Sequence, residues 1–246
     1  MAGAGEPRAA SPTRTGVLSG LVVMADDFYL GRGNLANVDR ALQLLRQQVG
    51  EHSNDYEAWW RIARAQNFLG RVNDGHDDKT ALRQFESGAD AGRRAVKLRP
   101  KGVEGHFWLG ANLGLIGEEE GLFRGLRLVD PVRKEMETVM RLDPSYEQLG
   151  AQRTLARVYY RAPFFKGGDK ERSIELLQDC LKRYPFDSFA LLYLADDYLA
   201  VGRRAEARRI LKQILDLCPD PLYGPELLNN QAEARDRLQH EILSER

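Results

Sequence analysis

Asp74, His76, Asp77 and Asp78 fall together in RVNDGHDDKT, a grouping of oxygen and nitrogen donors that invites a divalent cation. Calcium needs ligands alternating through a twelve-residue loop, and zinc needs a second histidine or a cysteine nearby. Neither pattern is present, so the reading is no metal, with Asp78 as the cap of the following helix. His52, His106 and His240 are scattered, with no visible nucleophile or paired carboxylates. The sequence has no phosphate-cradling GxxxxGK[ST] loop, no GxSxG elbow and no GxGxxG turn after a strand. A non-catalytic protein with no cofactor is expected.

A second constellation mixes arginine with aromatic rings. It comprises Trp60, Arg64 and Asn67, then Phe107, then Arg153, Arg157, Tyr160 and Arg161, and finally Asp196. Guanidinium groups donate bidentate hydrogen bonds to carboxylates and rings supply apolar walls, so such a surface would receive a partner's peptide carboxylate or acidic side chains. The alternative is that Arg64 and Arg157 pair internally with glutamates or Asp196 and stiffen the fold. Arginine makes up 28 of the 36 basic residues, which favours planar pairing wherever the side chain is partly buried. Those 36 are matched by 36 acidic residues, so the chain lacks the broad positive field that a nucleic acid partner requires.

With 43% hydrophobic and 29% charged residues the sequence has the balance of a folded, soluble protein. In SFALLYLADDYLAVGRRAEARRILKQILDLCP, Leu191, Leu194, Ala195 and Tyr198 are followed by Ala207, Leu211, Ile214 and Pro219. This spacing resembles the tetratricopeptide pattern, in which two antiparallel helices meet at small residues and a proline stops the second. Upstream, Leu155, Ala156 and Tyr159 pair with Ser173, Leu177, Cys180 and Pro185. Leu109, Gly110 and Leu113 pair with Val132, Met136, Val139 and Pro144, while Trp59, Ile62 and Ala63 precede a long helix ending at AVKLRP. The first unit, about 17–50, is the most degenerate, recognisable at Ala41 and Leu45. The expected fold is all-α, with about five hairpins in a right-handed superhelix. A capping helix over 225–244 closes it, with Leu228, Leu238 and Ile242 on its apolar side. The first helix of each hairpin lines the concave face, where the arginine and aromatic set then converges.

Two turns are longer than chain reversal requires. In LARVYYRAPFFKGGDKERS, Pro163 ends one helix, Gly167 and Gly168 permit positive φ, and Asp169 stands where the next helix needs a cap. Phe164 and Phe165 either plug a gap between hairpins or, exposed, form a contact for a partner or ligand. In GEEEGLFRGLRLVDP, Leu122, Phe123 and Leu126 belong either to an extra helical segment packed on the array or to a surface covered by another subunit. FWLG, RLDP and above all ARVYYRAPFFKGGDKERS resemble the tetratricopeptide-type T component associated with TRAP solute transporters, over about residues 24–217. The resemblance implies an exported, lipid-anchored oligomer that docks a solute-binding protein and passes a hydrophobic ligand. This chain departs from that pattern in having no cysteine near its N-terminus to accept a lipid.

Residues 1–16 read as a flexible tail and 17–246 as one helical-repeat domain. VLSGLVVMA, behind Arg8 and Arg14 and with Val23 and Ala25 at a cleavage-like site, has some features of a signal peptide. Its apolar residues run on into DDFYLGRGN as a helix, so an uncleaved, cytoplasmic chain is expected, with a periplasmic location if residues 1–25 act as a signal. Cys180 and Cys218 form no disulfide framework and are read as small buried hydrophobes. No apolar run is long enough for a transmembrane segment. The partner expected is another protein, in a multiprotein complex or a homo-oligomer, with a hydrophobic small ligand as the second class.

Overall fold

A computed structural model describes residues 18–243, with the backbone alone for 122–124 and 241–243. The helices are α1 (Gly20–Leu30), α2 (Leu35–Glu51), α3 (Tyr56–Asn73), α4 (Asp78–Leu98), α5 (Val103–Glu119) and α6 (Gly121–Leu142). They continue with α7 (Tyr146–Arg161), α8 (Lys170–Arg183), α9 (Ser188–Ala200), α10 (Arg204–Leu215) and α11 (Gly224–Leu243). Among the described residues there is no strand, and α1 to α10 form five hairpins closed by α11, as the repeat implied. No described helix is long and apolar enough to cross a membrane.

The helices start where a short polar side chain can take up a free amide. Ser19, Asn34, Asp55, Asp77, Asp169 and Asp187 each accept a backbone N–H from the first turn behind them, a contact worth about 1 kcal/mol. The cap of α4 is thus Asp77 rather than Asp78. The chain turns into the helix one residue earlier, and the Asp78 carboxylate instead accepts the Gly75 N–H at 3.1 Å. Hairpins pack through small residues. A Cβ on Gly92 would sit 2.8 Å from the Leu109 Cα, so α4 and α5 touch backbone to backbone. Gly70 likewise leaves room on α3 for the fully buried ring of Phe85.

Three elements differ from the sequence reading. The apolar insertion after α5 is helical, but it is the first half of α6 itself, running unbroken through Pro131. That proline lies on the exposed side, where water can satisfy the carbonyl freed by its missing N–H. On α11 Leu227, Asn230, Gln231 and Ala234 are buried and Leu238 packs half-buried against the C-terminal core as expected, while Leu228 is exposed and Ile242 lies outside the described side chains. Gln231 binds the carbonyls of Ile214, Leu215 and Leu217, so the face that holds Leu227, Gln231 and Ala234 packs on α10 and Leu228 falls outside it. Cys180 is buried as expected, whereas Cys218 is exposed just beyond α10.

The first turn of α7 was not foreseen. Glu147, Gln148 and Leu149 have φ of 49°, 55° and 62°, a left-handed turn of three non-glycine residues. Arg153 donates to the carbonyls of Glu147 and Gln148 and pairs with Asp187, and Leu149 is buried in the C-terminal core. These contacts offset a backbone preference of about 1–2 kcal/mol per residue against the left-handed region.

Candidate functional site

The two ends of the array meet. Arg32, 3% exposed at the α1–α2 turn, donates to the Leu222 carbonyl and to both carboxylate oxygens of Glu226 at 2.8 and 2.7 Å. Its guanidinium lies 5.0 Å from the Tyr29 ring and 5.7 Å from that of Phe68. Tyr223, beside α11, donates its hydroxyl to Glu147 at 3.1 Å. The concave side is thereby bridged, leaving a half-open central cavity of about 320 Å³. A second hollow of about 280 Å³ lies between α5, α6 and α7, walled by Leu113, Leu115, Leu126, Leu128, Val129 and Val158.

Most arginines of the expected groove are already paired. Arg61 holds Asp26 through two contacts at 2.9 Å and Glu57 at 2.8 Å, and Arg64 reaches the same Asp26 at 2.9 Å. Arg157 binds Glu118 and Asp196, each at 2.9 Å, and Arg161 adds a contact to Glu118 at 2.8 Å. Arg237 on α11 completes the set by binding Asp196. Burial alone would raise the Glu118 carboxyl, but the guanidinium groups of Arg157 and Arg161 outweigh it and hold it down at about 2. The internal-pairing alternative is therefore the arrangement found for Arg64 and Arg157.

The expected residues separate accordingly. Arg64, Asn67, Phe107 and Arg153 line the central cavity, while Arg157 and Arg161 border the second hollow. Trp60, Tyr160 and Asp196 line neither. Trp60 is buried, donates to Glu57 at 2.9 Å and carries the Arg61 guanidinium 4.0 Å above its ring. Tyr160 lies beside Arg157 and Arg161, and Asp196 is fixed between Arg157 and Arg237.

Arg71 was missed. It stands one helical turn after Asn67 and two after Arg64 on α3, so the 3.6-residue period places it on their face. Its proximity to the loop RVNDG hid that. Arg71 donates to the Tyr193 hydroxyl at 3.3 Å and to the Asn67 side-chain oxygen at 3.4 Å, with its guanidinium 4.9 Å from the Phe189 ring. Among the described residues no carboxylate lies within 4.0 Å of it. Burial opposes its charge, but Tyr193 and the more distant Glu118 and Glu233 outweigh that and raise its pKa. Both cavities touch it.

The second expected surface, the α7–α8 turn, is rigidly built. Ala162 is extended at φ −66°, ψ 142°, Phe164–Lys166 make one 3₁₀ turn, and Gly167 takes the left-handed φ of 77°. Gly168 is not left-handed; a side chain there would collide with the Ala162 carbonyl. The Asp169 amide reaches back to Tyr159, its carboxylate caps α8, and Arg133 donates to the Lys166 carbonyl at 3.3 Å. Phe164 is nonetheless 91% exposed and Phe165 75%, so neither ring plugs a gap between hairpins. Leu126 walls the second hollow, and the side chains of Leu122 and Phe123 lie outside the described residues.

Two titratable clusters complete the picture. Asp74 and Asp78 meet Glu119 from α5, with carboxylate oxygens within 4.8 Å of one another. Burial and the neighbouring Asp74 push Glu119 up to about 7, so a retained proton relieves the repulsion. Three such oxygens are fewer than calcium or magnesium requires without additional ligands. His106 contacts Glu135 through Nδ1 and the Pro100 carbonyl through Nε2, and these acceptors raise its pKa against the effect of burial.

Comparison with known proteins agrees with this architecture. Residues 22–150 match the family model described as regulator of microtubule dynamics protein 1-3, and residues 151–187 and 189–221 each match a tetratricopeptide repeat model. Among solved structures, a thermophilic TPR protein in Thermus thermophilus shares 21% identity at a TM-score of 0.61, covering 87% of this chain and 96% of its own. MamA from Desulfovibrio magneticus shares 15% identity at a TM-score of 0.52, covering 82% and 97%. At such identities the likeness is one of fold. No curated protein matches the chain. The tetratricopeptide part of the resemblance is thus found, while none of these comparisons carries the transport association.

Proposed function

The chain belongs to the regulator of microtubule dynamics protein 1-3 family, and on that premise we propose that it is a non-catalytic helical scaffold presenting the Phe164–Phe165 turn to a protein partner. The observation that carries this reading is the exposure of two adjacent rings, 91% and 75%, on a turn fixed by proline, a left-handed glycine and a helix cap. Exposed aromatics of this kind act as anchors in protein interfaces, and a turn ordered before binding loses little entropy when it docks. Around the rings Lys166 pairs with Asp130 at 3.0 Å and the exposed Lys170 and Glu171 are of opposite sign, so the polar rim is of mixed charge and the rings are the anchor. The family name concerns microtubule dynamics; the turn supports the coarser reading, docking of a protein. We further propose that the chain acts uncleaved in the cytoplasm.

The test compares cross-linked complexes isolated from the source cells for the native chain and for Phe164→Ser/Phe165→Ser, read by native mass spectrometry. A stoichiometric protein partner is expected with the native chain and absent with the variant. The melting temperature should stay within about 2 °C, because exposed positions away from structural contacts contribute little to stability. Retention of the partner by the variant would sink the docking reading, and a loss of several degrees would show that the rings serve the fold. The same spectra give the mass of the N-terminus; removal of about the first twenty-five residues would favour the exported alternative.

A further inference from the structure

The central cavity contains one guanidinium whose charge no neighbouring carboxylate meets. Around it, Arg32 is taken by Glu226, Arg61 and Arg64 by Asp26, and Arg153 by Asp187. Among the described residues Arg71 has only the Tyr193 hydroxyl and the Asn67 side-chain oxygen, both neutral acceptors at the long end of hydrogen bonding, and three of its five N–H groups meet no protein acceptor. Asn67 is itself oriented: it donates to Asn112 at 3.3 Å, and Asn112 donates to the backbone carbonyls of Ala63 and Trp108 at 3.2 and 2.7 Å. A relay of two buried amides therefore sets the Asn67 oxygen toward Arg71, and Phe189 supports the guanidinium face.

We propose that the central cavity is a binding site for a compact organic carboxylate, with Arg71 as the cation that receives it. A guanidinium fork and a carboxylate match in geometry and charge, and the partly buried setting of Arg71 shields that bond from water. The ligand is a monoanion because one unpaired guanidinium is present. Glu147 also lines the cavity, bound by Tyr223 and within the field of Arg32, and would repel a dianion. Phe107, Trp108, Phe189 and Tyr193 supply flat apolar walls, so the body of the ligand is aromatic or similarly planar. A volume of about 320 Å³ limits that body to a ring or two, at the small end of ligand sites. This site is separate from the Phe164–Phe165 turn, and either can fail without the other.

The test is calorimetric titration of the full chain with benzoate and phenylacetate, using benzamide and phenylacetamide as neutral counterparts of the same shape. The change in tryptophan fluorescence, Trp108 being the tryptophan of the three that lines the cavity, gives a second readout. Saturable binding of at least one acid is expected, at least about tenfold tighter than its amide, as for loss of a charge-assisted bond. Arg71→Met should abolish that preference without lowering the melting temperature, and Arg71→Lys should restore part of it. Equal binding of acid and amide overturns the proposal, and that comparison needs no variant. So does unchanged binding by Arg71→Met, tighter binding of inorganic phosphate, or absence of saturation by either acid up to about 10 mM.

Discussion

Asp197 on α9 is 1% exposed, and neither carboxylate oxygen has a hydrogen-bond partner. The Ser173 hydroxyl, the nearest polar group of α8, donates to the Ala156 carbonyl at 2.8 Å. Burial pushes the Asp197 carboxyl up to about 7, against the pull of Ser173, Arg157 and Lys170 and with added repulsion from Asp196. The corresponding unfolded value is about 3.9. The folded state therefore holds the proton more tightly. Stability from this group is fully present below pH about 4, falls as pH rises, and is lost above about 7. A separation of about three pH units at 1.36 kcal/mol each bounds the loss at about 4 kcal/mol, and residual screening brings it to roughly 2–4 kcal/mol. Asp197→Asn cannot ionise. Its buried amide carries a pH-independent offset of about 1–3 kcal/mol, so the informative quantity is the change of the difference with pH. Thermal melts of both proteins from pH 5 to pH 8.5 should show the variant gaining relative to the native chain. About two of the three pH units fall between pH 5 and 7, at most about 2.7 kcal/mol, so the gain should be roughly 3–10 °C across that range at about 2–4 °C per kcal/mol for a domain of this size, with a plateau above the Asp197 pKa. A difference that stays constant with pH would refute a raised Asp197 pKa.

Two further substitutions test the internal electrostatics and the unusual turn. Arg157→Ala leaves Glu118 with only the exposed Arg161 and Asp196 with only Arg237, and should destabilise the fold by about 3–5 kcal/mol in chemical denaturation; an unchanged midpoint would show that this network does not hold α5, α7 and α9 together. Gln148→Gly removes the Cβ from a residue at φ 55° and should stabilise by about 1 kcal/mol, while a loss of similar size would mean that the packing of Gln148 outweighs its backbone strain.

What the sequence determined by itself is the local architecture. Leu191, Leu194, Ala195 and Tyr198 recur at a period only a helix satisfies, Asp169 caps α8 by a contact three residues long, and Pro163 ends α7 whatever surrounds it. Each of these rests on interactions within one or two turns, which spacing records directly. The site was legible in composition but not in state. Arg157 and Arg71 both stand in the last turns of first helices beside aromatic residues, yet Arg157 finds Glu118 and Asp196, each 39 positions away, whereas Arg71 finds only neutral acceptors. Likewise the bond of Arg32 to Glu226, 194 residues on, bridges one side of the cavity, and the exposure of Phe164 and Phe165 depends on where α6 and α8 come to rest. Charge compensation and exposure are sums over every neighbour in space. They are fixed only when the hairpins have stacked and the ends have met.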